Sequence, residues 1–380
     1  MRIVIAPDSY KGSASALGVA EAMERGVLQV FPGAEVLKVP IADGGEGTVD
    51  ALVVATGGLK IAHEVKGPLG SPVQAYWGVL GDEETAVIEM AAASGLPLLS
   101  REERDPRLAS TYGTGQLIKA SLDQGVTRII IGIGGSATND GGTGMAKALG
   151  ARFLDSEGNE LPEGGAALAD LAVIDMTNFD KRVADTEILV ACDVDNPLCG
   201  SRGASAVYGP QKGATPAMVQ ELDAALAHFA SIAKQTTGRD IAHHAGAGAA
   251  GGLGAGLLFF TPAKLRPGVE IVLETTGFHE LVSQAKFVIT GEGRTDFQTA
   301  FGKAPVGVAQ AAKQYGVPVF CLSGSFGDGA DDVLNHGIDG LMNIIPRPMA
   351  LEECIEHGEV LAEAAAARLC RIIEAGMRMG

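Results

Sequence analysis

The chain has 380 residues, 46% of them hydrophobic and 20% charged, enough to bury the cores of two domains of ordinary size. A formal net charge of −17 argues against nucleic acid or an anionic membrane as a partner, and any anionic substrate must be met by a few placed cations. Aromatics make up only 5% while glycines number 53, the composition of an α/β enzyme rather than of an aromatic-rich binding surface.

Residues 2–6 form a short apolar run and end at Pro7-Asp8. Residues 14–30 follow with Leu17, Ala20, Met23, Val27 and Val30 on one helical face, and Pro32-Gly33 stops the pattern. A second strand is predicted over 35–41, then DGGEG (43–47), then a helix over 48–55 closed by Thr56-Gly57-Gly58. From residue 60 to 90 the period changes to alternation, giving three antiparallel strands at 60–65, 73–80 and 86–90 and marking a domain boundary. A helix over 113–124 leads to the strongest buried strand, 128–133, which feeds GGSATNDGG (134–142) and a helix to about residue 149. Further strands are predicted at 151–154 and 188–192, the latter running into DVDNP (193–197), with an amphipathic helix at 216–234. Residues 246–256 are Gly and Ala without a polar side chain, read as a close approach of helix and backbone, with a flexible linker as the alternative. The tail returns to strand–helix alternation, with strands at 287–290, 317–322 and 341–345. Together with residues 2–6 these short, continuously apolar strands are expected in one parallel sheet. A discontinuous first domain follows, residues 1–67 and 286–380, with residues 68–285 inserted.

The five cysteines lack metal-binding spacing and read as buried thiols of a reducing compartment. The first apolar run is too short for a signal sequence, and the stretch 253–260 is too short and glycine-broken to span a membrane. A cytoplasmic protein is expected.

One arrangement recurs: an apolar strand ends and a polar, glycine-rich segment begins, at Asp8, Asp43, Gly134, Asp193 and Gly291. Open α/β sheets bind ligands outside the carboxyl ends of their strands, so these segments are where a site should lie. The Gly134 segment offers backbone amides with Gly135, Ser136, Thr138 and Asn139, a set suited to phosphate oxygens, though Asn139 or Asp140 would also serve as a helix cap. Asp43 and Glu46 likewise suit either capping or chemistry. Lys11, Lys212, Arg294 and Lys303 stand out as cations in an acidic chain, able to bind carboxylate and phosphate groups. Asp193, Asp195, Glu292 and Asp296 are candidate carboxylates for a metal or for a substrate proton. A rival fits part of the pattern: GIGGSA (132–137) matches a dinucleotide fingerprint, with Asp155 about twenty residues beyond it. Against it, the helix starts late and Asp140 brings negative charge close. No Walker-A motif exists, because Gly302-Lys303 is followed by Ala304.

Along its whole length the chain resembles the bacterial class I glycerate kinases. The resemblance rests on APDSYK (6–11), ADGGEGT (42–48), IGIGGSATNDGG (131–142), ACDVDNPL (191–198), GPQKG (209–213), GAGAAGG (246–252), and TGEGRTD (290–296) with Gly302-Lys303. It implies two different α/β domains, one flavodoxin-like and one restriction-enzyme-like, assigned respectively to residues 68–285 and to the discontinuous domain. It also implies ATP and Mg²⁺, D-glycerate as substrate, and 2-phosphoglycerate as product. The resemblance gives no role to each acid; from the residues themselves, the active site is expected in the cleft between the domains. Ser9, Lys11, Arg294 and Asp296 would hold glycerate. Gly134, Gly135, Ser136, Thr138, Asn139 and Lys212 would hold ATP, with Lys303 near its phosphates. Asp193 or Asp8 would take the substrate proton, and Asp43, Glu46 and Glu292 would serve the metal. An NAD-dependent hydroxy-acid dehydrogenase and a 3-phosphoglycerate-forming kinase remain as alternatives, and the oligomeric state is open.

Overall fold

A computed structural model describes residues 1–379. In chain order its strands are β1 Arg2–Pro7, β2 Glu35–Lys38, β3 Leu59–Lys66, β4 Pro72–Val79, β5 Thr85–Glu89, β6 Arg128–Gly132, β7 Arg152–Leu154, β8 Val173–Asp175, β9 Glu187–Ala191, β10 Lys264–Arg266, β11 Phe287–Glu292, β12 Val319–Ser323 and β13 Gly340–Asn343. The chain folds as two compact α/β units. The first comprises Met1–Asp43, Asp50–Thr56 and the chain from Val269 onward; the second comprises Gly44–Val49 and Gly57–Gly268.

The first unit carries one sheet in the order β13-β12-β11-β1-β2, parallel throughout. The expected parallel sheet of residues 2–6 with the late strands is therefore present, and the six residues of β11 are all buried, as a strand covered on both faces requires. Taken from the β2 edge in chain order the sheet runs 2-1-3-4-5, the flavodoxin-like order. That corrects the assignment made from sequence, which gave the flavodoxin-like sheet to the inserted segment. From β1 the chain steps to one side, to β2, and on returning it steps to the other, to β11. The carboxyl ends of β1 and β11 thus flank a topological switch point, where such sheets bind ligands. Under the sheet, Ile3, Ile5, Phe287 and Ile289 pack with Val19, Met23, Leu361, Ala365 and Leu369 from the helices Ala16–Leu28 and Gly358–Met377. Truncating a side chain as buried as Met23 (0% exposed) to Ala would cost about 2–5 kcal/mol. The first helix begins later than its apolar pattern because Ser15 caps it, accepting from Gly18 N at 3.1 Å.

The second unit carries a mixed sheet in the order β10-β9-β6-β5-β4-β3, parallel from β10 to β5 and antiparallel across β4 and β3. The alternating strands beyond residue 59 pair with one another, so β3 belongs here and not to the first unit, as a boundary at residue 67 would require. At the other end the chain re-enters the first unit at Val269, earlier than residue 286, because the helix Gly268–Thr275 packs there, with Val269 against Gly307. Trp77, Ile88, Ile129, Ile131, Ile188 and Val190 fill one core, and Phe153, Phe229, Phe259 and Phe260 a second.

The Gly/Ala stretch is not a linker. It enters the helical segment Ala249–Phe260 through three left-handed residues, Ala250, Gly251 and Gly252 (φ 53°, 67° and 89°). A Cβ on Gly251 would lie 1.9 Å from Thr138 O, so backbone meets backbone where a side chain cannot fit. No helix among the described residues is long and apolar enough to cross a membrane.

Candidate active site

In the first unit the switch point gathers carboxylates. Asp8 follows β1 directly; its amide donates to Gly291 O at 2.8 Å, and its Oδ1 accepts from Ser9 N at 2.6 Å. The loop is pinned from below by Tyr10, buried, whose hydroxyl donates to Leu322 O at 2.8 Å. Glu292, 7% exposed at the end of β11, accepts on Oε1 from Thr299 Oγ1 at 2.7 Å and Thr295 Oγ1 at 3.0 Å. Ser323 Oγ, from the end of β12, donates in turn to Thr295 Oγ1 at 2.6 Å. Burial first, then the charges of Asp43 and Glu292, push the Asp8 carboxyl from its ordinary 3.8 up to about 7. Burial also raises Glu292, opposed by its two threonine hydrogen bonds and by the charge of Lys303.

The cations sit at the rim. Arg294 is exposed and lies 3.6 Å from Asp296, whose Oδ1 caps the turn Phe297–Phe301 by accepting from Gln298 N at 3.0 Å. Lys303 occupies the N-cap position of the helix Ala304–Lys313. Lys11 is exposed on the Asp8 loop, beside Gly293, and Ser9 is half-buried. The unit therefore brings together Asp8, Ser9, Lys11, Asp43, Glu292, Arg294, Asp296 and Lys303 from segments almost three hundred residues apart.

In the second unit two glycine segments meet. A Cβ on Gly132 would lie 2.3 Å from Gly44 O, and one on Gly44 would lie 2.4 Å from Ala191 Cβ. The segment 44–47 can therefore lie on the ends of β6 and β9 only without side chains. Glu46 points out of this packing and is exposed. Of the residues after β6, Gly134 and Gly135 are exposed, and their amides donate to no acceptor among the described residues. Ser136 is 6% exposed, and Thr138 and Asn139 are wholly buried. Asn139 Nδ2 donates to Ser205 Oγ at 2.9 Å, while Thr138 Oγ1 and Asn139 Oδ1 have no partner among the described residues. Lys212, 1% exposed, donates from Nζ to Ser136 Oγ at 2.7 Å and Thr138 O at 2.6 Å. Asp140 is structural: its carboxylate accepts from Thr111 N and Oγ1 (both 2.8 Å), Gly142 N (3.1 Å) and Gly144 N (3.2 Å). It holds the helix Thr143–Ala148 in place and faces no open surface.

Asp193 is exposed at the end of β9, and its Oδ1 accepts from Gly268 N at 2.9 Å, so part of its capacity holds the chain where it leaves this unit. Asp195 pairs with Arg202 at 3.0 Å on the surface. Thr295, Thr299 and Tyr10 are support residues that the sequence did not single out, and Ser323 opens Ser323-Gly324-Ser325, a candidate sixth strand-end segment of the same kind in the sequence. The only signal was the spacing of Thr295 and Thr299 three and seven residues after Glu292, which becomes informative once the turn Phe297–Phe301 folds back on the strand end.

Among the described residues no group of three or more His, Cys, Asp or Glu is arranged to hold a metal ion by itself. Mg²⁺ needs no such cage when phosphates supply part of its shell, and hard, mutually repelling carboxylates such as Asp8, Asp43 and Glu292 are the right donor type for it.

The model of the glycerate kinase family matches residues 3–374. This chain belongs to the glycerate kinase family. It is 56% identical over 364 residues to a glycerate kinase of Halalkalibacterium halodurans, covering 96% of each chain. It is 53% identical over 379 residues to a glycerate kinase of Bacillus subtilis, covering 100% of this chain and 98% of the relative. The glycerate 2-kinase of Escherichia coli K12 is 49% identical over 378 residues, covering 100% and 99%. A crystal structure from Salmonella typhimurium LT2, described as a glycerate kinase 2, superposes with a TM-score of 0.91 at 48% identity over the full length of both chains. Membership of the glycerate kinase family makes the chain a phosphotransferase and sets aside the dinucleotide fingerprint at 132–137, whose helix begins only at Thr143.

Proposed function

We propose that this enzyme transfers the γ-phosphoryl group of ATP, with Mg²⁺, to the 2-hydroxyl of D-glycerate. The observation that carries the reading is the place of Asp8: a half-buried carboxyl at the switch point beside Asp43 and Glu292, raised to about 7 in the metal-free enzyme. A general base works best when its pKa lies near the working pH. With Oδ1 engaged by Ser9 N, Oδ2 is left to accept the hydroxyl proton as the substrate oxygen attacks the γ-phosphorus and ADP departs. Asp193 is the other carboxylate weighed for this step; its tie to Gly268 supports Asp8 instead.

Arg294 and Lys11, with Ser9 and Asp296, hold the glycerate carboxylate and hydroxyls in this reading. The exposed amides of Gly134 and Gly135 receive nucleotide phosphates, with Ser136, Thr138 and Asn139 forming the body of that loop and Lys212 bonded to it. Lys303, at a helix N-terminus, adds positive charge for the transferring group. Glu292 and Asp43 would hold Mg²⁺, which when bound neutralises phosphate charge. Positioning and charge compensation supply most of the catalysis in phosphoryl transfer, so few groups need change protonation.

Phosphorus NMR of the enzyme with D-glycerate and Mg-ATP tests the proposal. The expected result is a growing 2-phosphoglycerate signal with matching ADP. A 3-phosphoglycerate signal would overturn the regiochemistry, and no phosphoglycerate from folded protein would overturn the reaction.

A further inference from the structure

Lys212 is the least exposed lysine a phosphate-binding role could choose. Its side chain is buried to 1% and both recorded contacts of Nζ are internal, to Ser136 Oγ and Thr138 O. These two acceptors straddle Ala137, so one amine closes the neck of the loop that presents Gly134 and Gly135. Both hydrogen bonds of this amine go to uncharged oxygens, and the charge of Asp140 acts on it without a hydrogen bond. Burial draws the amine from 10.5 down to about 7, offset only in part by the charge of Asp140.

The amine is also held from behind. It rides on the turn Pro210–Lys212, which ends at Gly213 with φ 97°, where a Cβ would lie 2.5 Å from Arg104 O. On its other side the loop is tied to backbone, with Leu96 N donating to Gly135 O and Ala137 N to Ser94 O, both at 2.9 Å. Reaching a nucleotide would strip Ser136 Oγ and Thr138 O of their donor in a region that already has two unpartnered buried oxygens.

We propose that Lys212 is a positioning residue: its amine ties Ser136 to Thr138 and so fixes the Gly134 and Gly135 amides toward an anion, without touching that anion. The inference rests on the reading of this loop as the phosphate cradle. Retaining a buried, unpaired lysine where an apolar side chain would pack at lower cost is intelligible if the tie is what matters.

The test uses the full-length enzyme, isotope-labelled for NMR, and the variant Lys212→Met, which keeps length and packing but removes both hydrogen bonds. In wild type, Mg-ATP should shift the Gly134 and Gly135 amide resonances, with no coupling across a hydrogen bond between Lys212 Nζ and the ATP phosphorus. In Lys212→Met without nucleotide, the same two amides should already be displaced. Its Kd for ATP should rise about ten-fold, the loss expected for two internal hydrogen bonds expressed through a loop, while KM for glycerate stays within about two-fold. Unchanged ATP affinity in Lys212→Met, with the wild-type amides responding to ATP, would overturn the inference and leave the cradle standing. Amides of wild type indifferent to ATP would overturn the cradle and the inference with it. If Lys212→Met does not fold, the wild type decides: a nitrogen–phosphorus coupling between Lys212 Nζ and bound ATP shows contact and overturns positioning, and its absence beside shifting glycine amides supports it.

Discussion

Replacing Asp8 by Asn should cut turnover by about 10² or more and, above mildly acidic pH, stabilise the first unit. The carboxyl ionises at about 7 in the folded enzyme against an ordinary 3.8. Between these values the native state holds a proton that the unfolded chain has released. Stability from this group is therefore complete below pH 3.8, falls as pH rises, and levels off above about 7. At about 1.4 kcal/mol per pH unit, the ionised carboxylate costs about 4 kcal/mol at pH 8, a ceiling set by how far Asp43 and Glu292 relax once Asp8 is neutral. An amide of the same shape carries none of this cost. The only tryptophan, Trp77, lies in the second unit, so its fluorescence would miss the effect. Hydrogen exchange of the β1 and β11 amides reads the right unit. Measured without Mg²⁺, protection in Asp8→Asn should exceed wild type by a few kcal/mol at pH 8 and match it at pH 4, while kcat falls by about 10² or more. A gain of equal size at both pH values, or a loss at pH 8, would refute the claim that Asp8 is a strained acid in a carboxylate cluster.

Asp193→Asn should keep its Oδ1 bond to Gly268 N and lose less than about ten-fold in kcat; a loss as large as that of Asp8→Asn would move the proton-acceptor role to Asp193. Glu292→Gln can still accept from Thr295 and Thr299, so the fold should survive, while the Mg²⁺ concentration for half-maximal rate rises about ten-fold; an unchanged Mg²⁺ dependence would take Glu292 out of the metal set. Gly251→Ala places a methyl 1.9 Å from Thr138 O at a left-handed position, and thermal unfolding of the second unit followed by Trp77 fluorescence should show a loss of about 3 kcal/mol or more. A loss under about 1 kcal/mol would mean that the segment yields easily, contrary to the packing described.

The strands, their order along the chain, and the habit of ending each in a polar glycine turn were legible in the residues themselves. Continuous apolar runs such as residues 287–290 suit a covered parallel strand, and alternation beyond residue 59 suits a half-exposed antiparallel one, so local pattern and burial agree. The family was legible too, because long motifs such as ADGGEGT and TGEGRTD combine backbone and chemical requirements that few other chains share. Which turn does what was not. Asp140 and Asp8 look alike as acids beside glycines. Only the fold surrounds the first with four donors and leaves the second facing two other carboxylates. Lys212 stands out in the sequence as a cation, and only the structure shows its amine buried on Ser136 and Thr138; Thr295 and Thr299 matter because a turn returns them to Glu292. The side-chain types and the apolar period are properties of the chain alone. Burial, ionisation and hydrogen-bond partnership depend on which distant segments arrive at the same strand end, and the tertiary structure alone decides that.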